Sequence, residues 1–131
     1  MDERTFTLTE AKQLLPQLEE QLLAVKKEKD VLVHSHGEIK KASANAQSNG
    51  GSLAGPRYIR ALERISDSVE AIQEMGVLVK DLDIGLCDFP CQMNGRVVYL
   101  CWKLGEPEIR FWHEVEDGYT GRQPLETLTE S

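Results

Sequence analysis

Side chains suited to catalysis or metal binding lie mainly in the second half of the chain. Asp81, Glu108 and His113 offer carboxylate oxygens and an imidazole nitrogen, which are donor types that hold catalytic metal ions. Their spacing matches no established metal motif, and Asp88 has a simpler explanation as a cross-strand ion-pair partner of Lys80. We therefore predict no bound metal or other cofactor, and keep these three residues as the alternative.

His113 has an ionisation range near neutral pH, which suits general acid or base catalysis. The strand register described below points its side chain inward, toward Leu100. This position favours a histidine at the edge of the core, hydrogen-bonded to a backbone group or a carboxylate. Asp81 and Glu10 are the candidate carboxylates.

Arg122 follows Gly121 and precedes Pro124 on a loop, so its guanidinium could clamp a carboxylate or phosphate in bidentate fashion. An internal salt bridge is the simpler interpretation, and we favour it. Glu106 and Glu108 flank Pro107 in a predicted turn, where we expect both carboxylates to be solvated.

The three cysteines, Cys87, Cys91 and Cys101, show no CxxC spacing. Cys87 and Cys91 are predicted on one strand, roughly 13 Å apart at about 3.3 Å per residue, which is too far for a disulfide. Cys101 points to the opposite face of the predicted sheet. We therefore expect three reduced thiols.

A four-stranded antiparallel meander over residues 77–115 positions these side chains. Asn94-Gly95 is the strongest turn signal, because both residues tolerate positive φ. It sets six pairs: Met93 with Arg96, Cys91 with Val98, Phe89 with Leu100, Cys87 with Trp102, Asp88 with Cys101 and Pro90 with Tyr99. A turn at residues 105–108 would place Trp102 opposite Phe111 and Leu100 opposite His113. A turn at residues 83–85 would place Val79 opposite Phe89.

This register gives an apolar face and a mixed one. The predicted inner face is the core: Val77, Val79, Phe89, Cys91, Val98, Leu100, Trp102, Leu104, Ile109, Phe111 and Val115. The predicted outer face carries our candidate ligand-binding residues, to which Arg122 is added from the loop: Tyr99, Lys103, Arg110, Trp112 and Arg122. Exposed aromatic rings need a cover, which would be the folded-back 118–124 loop, a second copy or a ligand.

Two amphipathic helices precede the sheet. A capping box at Thr7 and Glu10 starts a helix over about 8–36, and a second helix spans about 56–75 before Gly76. A flexible linker is predicted at 37–54, and a loop and tail at 116–131, frayed from Leu125 onward. The predicted fold is α+β, a single domain of 131 residues in which a long antiparallel helical hairpin packs on one face of the sheet.

The composition and the apolar pattern argue against several partners and locations. The net charge of −7 disfavours nucleic acid and anionic membranes as partners, since both attract clustered Lys and Arg. No apolar run is long enough to span a membrane, and the first residues do not match a signal peptide. We expect a soluble, cytoplasmic protein.

Several segments resemble a bacterial family catalogued as domain of unknown function 2203. They are FTLTEAKQLLPQL, VKDLDIGLCDFP, GRVVYLCWKLGEPEIRFWHE and DGYTGRQPL. The resemblance spans most of the chain and implies a small, cytoplasmic, single-domain bacterial protein. It implies no activity.

Two functions remain open. The favoured one is a non-catalytic interaction module, homodimeric through its helices, that binds a protein or a small anionic or aromatic ligand. The absence of a nucleophile paired with a base supports it. The alternative is a small metal-dependent hydrolase that uses Asp81, His113 and a glutamate such as Glu108.

Overall fold

The computed structural model describes residues 4–44 and 54–128. Two helices precede a sheet whose strands are ordered β1-β2-β3-β4-β5, and each neighbouring pair is antiparallel. The helices are α1 (Leu8–Ala44) and α2 (Ala54–Met75), and the strands are β1 (Leu78–Asp81), β2 (Leu86–Met93), β3 (Arg96–Lys103), β4 (Phe111–Glu114) and β5 (Gln123–Pro124). The predicted α+β class is confirmed, with one short strand more than expected.

The chain divides into two compact units. One comprises Met1–Leu22 with Ala71–Ser131 and contains the sheet, the start of α1 and the end of α2. The other, Leu23–Glu70, contains the remainder of both helices. In that second unit the helices are joined by ion pairs from Glu28 to Arg64 and from Glu38 to Arg57. That the whole chain is one domain stays a prediction.

Helix α1 begins as predicted. Glu10 N–H donates to Thr7 Oγ1 at 3.1 Å, and Thr7 N–H donates to Glu10 Oε1 at 2.8 Å, which completes the capping box. The helix continues to Ala44, so the predicted start of a linker at residue 37 is wrong. After Gly37 the chain has Ile, Lys and Ala residues that favour helix, and a single glycine costs only about 1 kcal/mol. Residues 45–53 lie outside the described part.

Helix α2 ends at Met75, and Gly76 follows with φ of +88°, the predicted left-handed cap. Arg4 Nη1 donates to the carbonyl of Met75 at 2.8 Å. Among the described residues, no helix is long and apolar enough to cross a membrane.

The core of the first unit lies between the sheet's inner face and the helix segments. The large buried side chains include Phe6, Leu18, Leu22, Ile72, Phe89, Leu100, Trp102, Ile109 and Trp112. Phe6 meets Phe89 edge to face, with ring centroids 5.4 Å apart, and its N–H donates to the Pro90 carbonyl at 2.7 Å. The N-terminal segment therefore hydrogen-bonds to the edge of β2 at Pro90, beyond the part of β2 that pairs with β1.

The register of β2 against β3 is confirmed for every predicted pair, from Met93 with Arg96 to Cys87 with Trp102. Asn94 and Gly95 both have positive φ, at 53° and 80°. The turn chemistry alone was therefore enough to predict the pairing of β2 with β3.

The predicted register of β3 against β4 is wrong by one residue. Cys101 lies opposite Phe111 and Leu100 opposite Trp112, so every side chain of β4 is on the other face from the one predicted. Trp112 is buried in the core, and His113 joins the outer face. Val115, predicted in the core, is exposed.

Glu106 explains this slip. Its carbonyl accepts a hydrogen bond from Trp102 Nε1 at 2.9 Å, and its carboxylate accepts one from Lys103 N–H at 2.7 Å. Because Glu106 is held beside the end of β3, the chain returns to β4 one residue sooner than predicted, so Leu100 lies opposite Trp112 and not His113. Glu106 is thus not the solvated turn residue that we expected.

Strand β1 is displaced by two residues from its predicted register. Leu78 lies opposite Asp88 and Val79 opposite Cys87, with an irregularity between Val79 and Asp81. A shift of two keeps each side chain on its predicted face, so the inward position of Val79 survives. The predicted pairing of Lys80 with Asp88 does not.

The described part of the segment after β4 contains secondary structure up to Thr127, where a loop and a frayed tail were predicted. It forms 3-10 turns at Tyr119–Gly121 and Leu125–Thr127 on either side of β5, which pairs with β4. Leu125 and Leu128 pack against the core. Residues 129–131 lie outside the described part.

The corrected register is tested by Trp112→Ala. Its ring is 5 % exposed, and its Nε1 donates to Thr127 Oγ1 at 3.0 Å. We expect the substitution to lower the free energy of unfolding by about 3–5 kcal/mol, measured by urea denaturation. Val115→Ala, at an exposed neighbouring site, should cost less than about 0.5 kcal/mol. Equal small losses in both variants would contradict the inward position of Trp112.

Candidate functional site

Three side chains with metal-binding or catalytic chemistry meet on the outer face of the sheet. Asp88 on β2 lies directly opposite Cys101 on β3, and His113 on β4 lies opposite Tyr99. The three are buried, with exposures of 2 % for Asp88, 0 % for Cys101 and 3 % for His113. One ligand atom from each falls within 4.8 Å of the other two.

The imidazole of His113 is held at both nitrogens. Nδ1 lies 2.7 Å from the Glu114 carbonyl, and Nε2 lies 3.0 Å from each carboxylate oxygen of Asp88. A carbonyl can only accept, so Nδ1 must carry a proton. A hydrogen bond between Nε2 and Asp88 then requires a second proton, carried either by Nε2 or by the carboxyl group of Asp88. The predicted type of partner for His113 is therefore correct, but the partner is Asp88 and not Asp81 or Glu10.

Cys101 is a protonated thiol in this environment. Burial, together with the neighbouring Asp88 carboxylate, raises the pKa of Cys101 to about 12. A cysteine nucleophile needs the opposite shift and a base that faces it. Both nitrogens of His113 already face oxygens, so the three residues do not form a cysteine–histidine catalytic pair.

The segment after β4 covers this group, which was one of the three covers that the sequence suggested. Arg122 Nη2 donates to both oxygens of Glu106, at 2.7 and 3.0 Å, and to the Cys101 carbonyl at 3.4 Å. Its guanidinium lies 4.0 Å from the Phe111 ring centroid and 4.8 Å from that of Tyr119. The favoured internal salt bridge of Arg122 is therefore confirmed.

A cavity of about 180 Å³ remains between the sheet and the covering segment. Its lining includes Asp88, Cys101 and His113, the rings of Tyr99 and Tyr119, and Lys80. The Tyr99 ring meets the His113 ring edge to face at 5.5 Å. Pockets for drug-sized ligands usually exceed about 300 Å³, so only a small molecule or ion would fit here.

Of the predicted ligand-binding residues, the structure groups three. Tyr99 lines the cavity, Lys103 Nζ lies 3.3 Å from the Tyr119 hydroxyl, and Arg122 lies over the same ring. Arg110 is elsewhere, since it pairs with Glu108 and lines a different cavity. Trp112 is on the inner face, so its assignment to the outer surface is wrong.

The alternative metal set is not assembled either. The carboxylate of Asp81 accepts hydrogen bonds from the N–H groups of Asp83 and Ile84, and Glu108 pairs with Arg110. Neither belongs to the group around His113. The sequence did reveal part of that group, because Asp88 was correctly placed opposite Cys101 on the outer face. Because the predicted register of β4 was wrong by one residue, the sequence did not place His113 on the same face as Asp88 and Cys101.

The fold and this site define an α+β protein with a helical hairpin and an antiparallel sheet that buries a carboxylate, a thiol and an imidazole on its outer face. The chain belongs to the family described as an uncharacterized conserved protein (DUF2203), whose model matches residues 4–125. The resemblance seen in the sequence is thereby confirmed. No curated protein and no solved structure matches the chain.

The thiols give a test of the site's burial. All three cysteines are free and buried, and burial raises the pKa of Cys87, like that of Cys101, to about 12. At about pH 8, we expect no native thiol to react with a disulfide reagent during the time in which all three react after unfolding. Rapid reaction of one thiol in the folded protein would contradict the structure.

The same shifts make stability depend on pH. Above about pH 8.5 the unfolded thiols ionise, while the folded ones keep their protons, so the free energy of unfolding falls as pH rises. For each of Cys87 and Cys101 the loss should reach about 2 kcal/mol near pH 10. Urea denaturation of wild type and Cys87→Ala should show a smaller decline in the variant.

Proposed function

We propose that this protein is a non-catalytic binding module that takes a small anionic or aromatic ligand in the outer-face cavity. The observation that carries the proposal is the cavity itself, which combines two tyrosine rings with buried polar groups that are fixed in position. Such a combination of apolar walls and a few convergent polar groups is characteristic of ligand sites.

The charges around the cavity favour an anion. Lys80 Nζ lies 5.4 Å from the centroid of the Tyr99 ring, and Lys103 Nζ lies 5.5 Å from that of Tyr119. Asp117 is the exposed carboxylate in the lining, while the carboxylate of Asp88 is occupied by His113. Two ammonium groups beside two aromatic rings suit a ligand with a carboxylate or phosphate group and a flat apolar portion.

The lack of an activated nucleophile among the described residues of this cavity supports binding without catalysis. The Cys101 thiol keeps its proton, and no ring nitrogen of His113 is directed at it with a free lone pair. Nucleophilic catalysis requires a base with a free lone pair directed at the nucleophile, and His113 does not supply one to Cys101.

Benzoate, which is both anionic and aromatic, is a suitable probe. We expect it to shift the amide NMR signals of Tyr99, Cys101 and His113. Tyr119→Ala and Lys80→Ala should each weaken the binding roughly tenfold, the effect of about 1.4 kcal/mol. Lys27→Ala removes an exposed lysine from α1 and should leave the affinity unchanged. Signal changes confined to residues outside the cavity lining would contradict the proposal.

We also propose that the protein is a homodimer, through the unit Leu23–Glu70. Side chains that are both large and apolar are exposed there, namely Leu23, Val33, Ile59 and Leu62. The buried positions of the same unit include Glu28, Ser35 and Ser68, so this pair of helices has a weak core of its own. A second copy would remove the exposed side chains from water.

Light scattering at micromolar concentration should give the mass of two chains. Ile59→Lys should reduce it to one chain, because the new ammonium would be buried in the interface. Glu63→Lys, at an exposed neighbouring position, serves as the charge control and should leave the dimer intact. A wild-type mass of one chain would contradict dimerisation.

A further inference from the structure

The donor atoms of the buried group are those that a zinc-type ion prefers. Asp88 offers oxygen, Cys101 sulfur and His113 nitrogen, and each comes from a different neighbouring strand. Zinc sites use these three ligand types, and sites that bind a further ligand commonly have three protein donors with the fourth position open. Side chains held by three paired strands are also fixed in position before any ion arrives.

The orientation of His113 fits a ligand role. Metal-bound histidines almost always donate the other ring N–H to a carbonyl or carboxylate, which fixes the ring. Here Nδ1 meets the Glu114 carbonyl at 2.7 Å, and Nε2 is directed at both oxygens of Asp88. The nitrogen that would bind the ion is therefore Nε2, the one that faces the Asp88 carboxylate.

The spacing also fits. Bonds of roughly 2.0–2.3 Å in tetrahedral geometry separate the donor atoms by roughly 3.3–3.7 Å. The three donor atoms lie within 4.8 Å of one another, and Nε2 lies 3.0 Å from the carboxylate oxygens of Asp88. Side-chain movements of less than about 1 Å would bring all three into this range.

We propose that Asp88, Cys101 and His113 bind one divalent transition-metal ion of the zinc or cobalt type, with the fourth coordination position open to the outer-face cavity. The ion takes the place of the protons that now lie between these side chains, so the buried charges remain compensated.

The open coordination position indicates which chemical group of the ligand would bind the ion. This step rests on the proposed function, in which the cavity binds a small ligand. The cavity lining places Lys80 and the rings of Tyr99 and Tyr119 beside the three donors. A carboxylate or phosphate oxygen of the ligand would complete the coordination of the ion. The ammonium of Lys80 would offset the negative charge of that ligand group.

Cobalt(II) is the best probe because its absorption reports both thiolate ligation and coordination number. The full-length protein, freed of metal with a chelator, should bind one cobalt ion per chain. The spectrum should contain a thiolate-to-cobalt charge-transfer band and the intense visible bands of four-coordination, and zinc should abolish both. Cobalt that binds without a charge-transfer band, or no binding at stoichiometric protein, would overturn the proposal.

Cys87→Ser is the matched control for Cys101→Ser. Both residues are fully buried on paired strands, but Cys87 lies on the inner face and Cys101 on the outer. The charge-transfer band should disappear in Cys101→Ser and persist in Cys87→Ser, and the reverse result would refute the site. Circular dichroism checks that each variant folds.

His113→Asn supplies a second variant that leaves all three thiols in place. It should weaken cobalt binding by more than the roughly 10- to 100-fold that loss of an outer-shell partner costs. An unchanged affinity would exclude His113 as a ligand. If Cys101→Ser does not fold, His113→Asn and the wild-type spectrum still decide the proposal.

Benzoate titrations with and without zinc separate this inference from the proposed function. Binding that strengthens with zinc supports both, and benzoate binding that zinc does not affect overturns the open coordination position alone. Cobalt binding with the expected spectrum but no benzoate binding supports the metal site and counts against the ligand pocket.

Discussion

The structure of the sheet depends on the buried contact between Asp88 and His113. A carboxylate that is 2 % exposed must be paired, because an unpaired buried charge costs several kcal/mol. His113 can reach Asp88 only when β4 is aligned so that Cys101 lies opposite Phe111. The same alignment directs Trp112 into the core, where its large ring is buried beneath the sheet. The same register thus pairs the buried carboxylate of Asp88 and buries the apolar ring of Trp112.

Glu106, in the β3–β4 connection, and Arg122, in the segment after β4, maintain that alignment. Glu106 accepts hydrogen bonds from the main chain of Lys103 and from Arg122, which ties the β3–β4 connection to the segment after β4. Because this pair is largely shielded from water, its attraction is stronger than that of a surface salt bridge. Of the two roles that the sequence allowed for Arg122, the structure shows the favoured internal salt bridge, and the loop that carries Arg122 covers the outer face and leaves a cavity.

Closure changes what the outer face can bind. An open face with tyrosine and lysine side chains would suit a protein partner, whereas a cavity of about 180 Å³ admits only small ligands or an ion. The buried donors and the lysines beside the tyrosine rings are the parts of the ligand site that we propose. The homodimer that we propose would form through the helical unit Leu23–Glu70, where apolar side chains are exposed.

The sequence by itself determined the fold class, the capping of α1 and the pairing of β2 with β3, because local signals specify each of them. Asn94 and Gly95 both tolerate the positive φ that a tight hairpin requires, and Thr7 and Glu10 cap a helix within four residues. The β4 register could not be read in this way, since Gly105 and Pro107 allow more than one connection length. Only the tertiary structure decided it, because the burial of Trp112 and the pairing of Asp88 with His113 are interactions between distant parts of the chain. The site formed by Asp88, Cys101 and His113 follows from that decision.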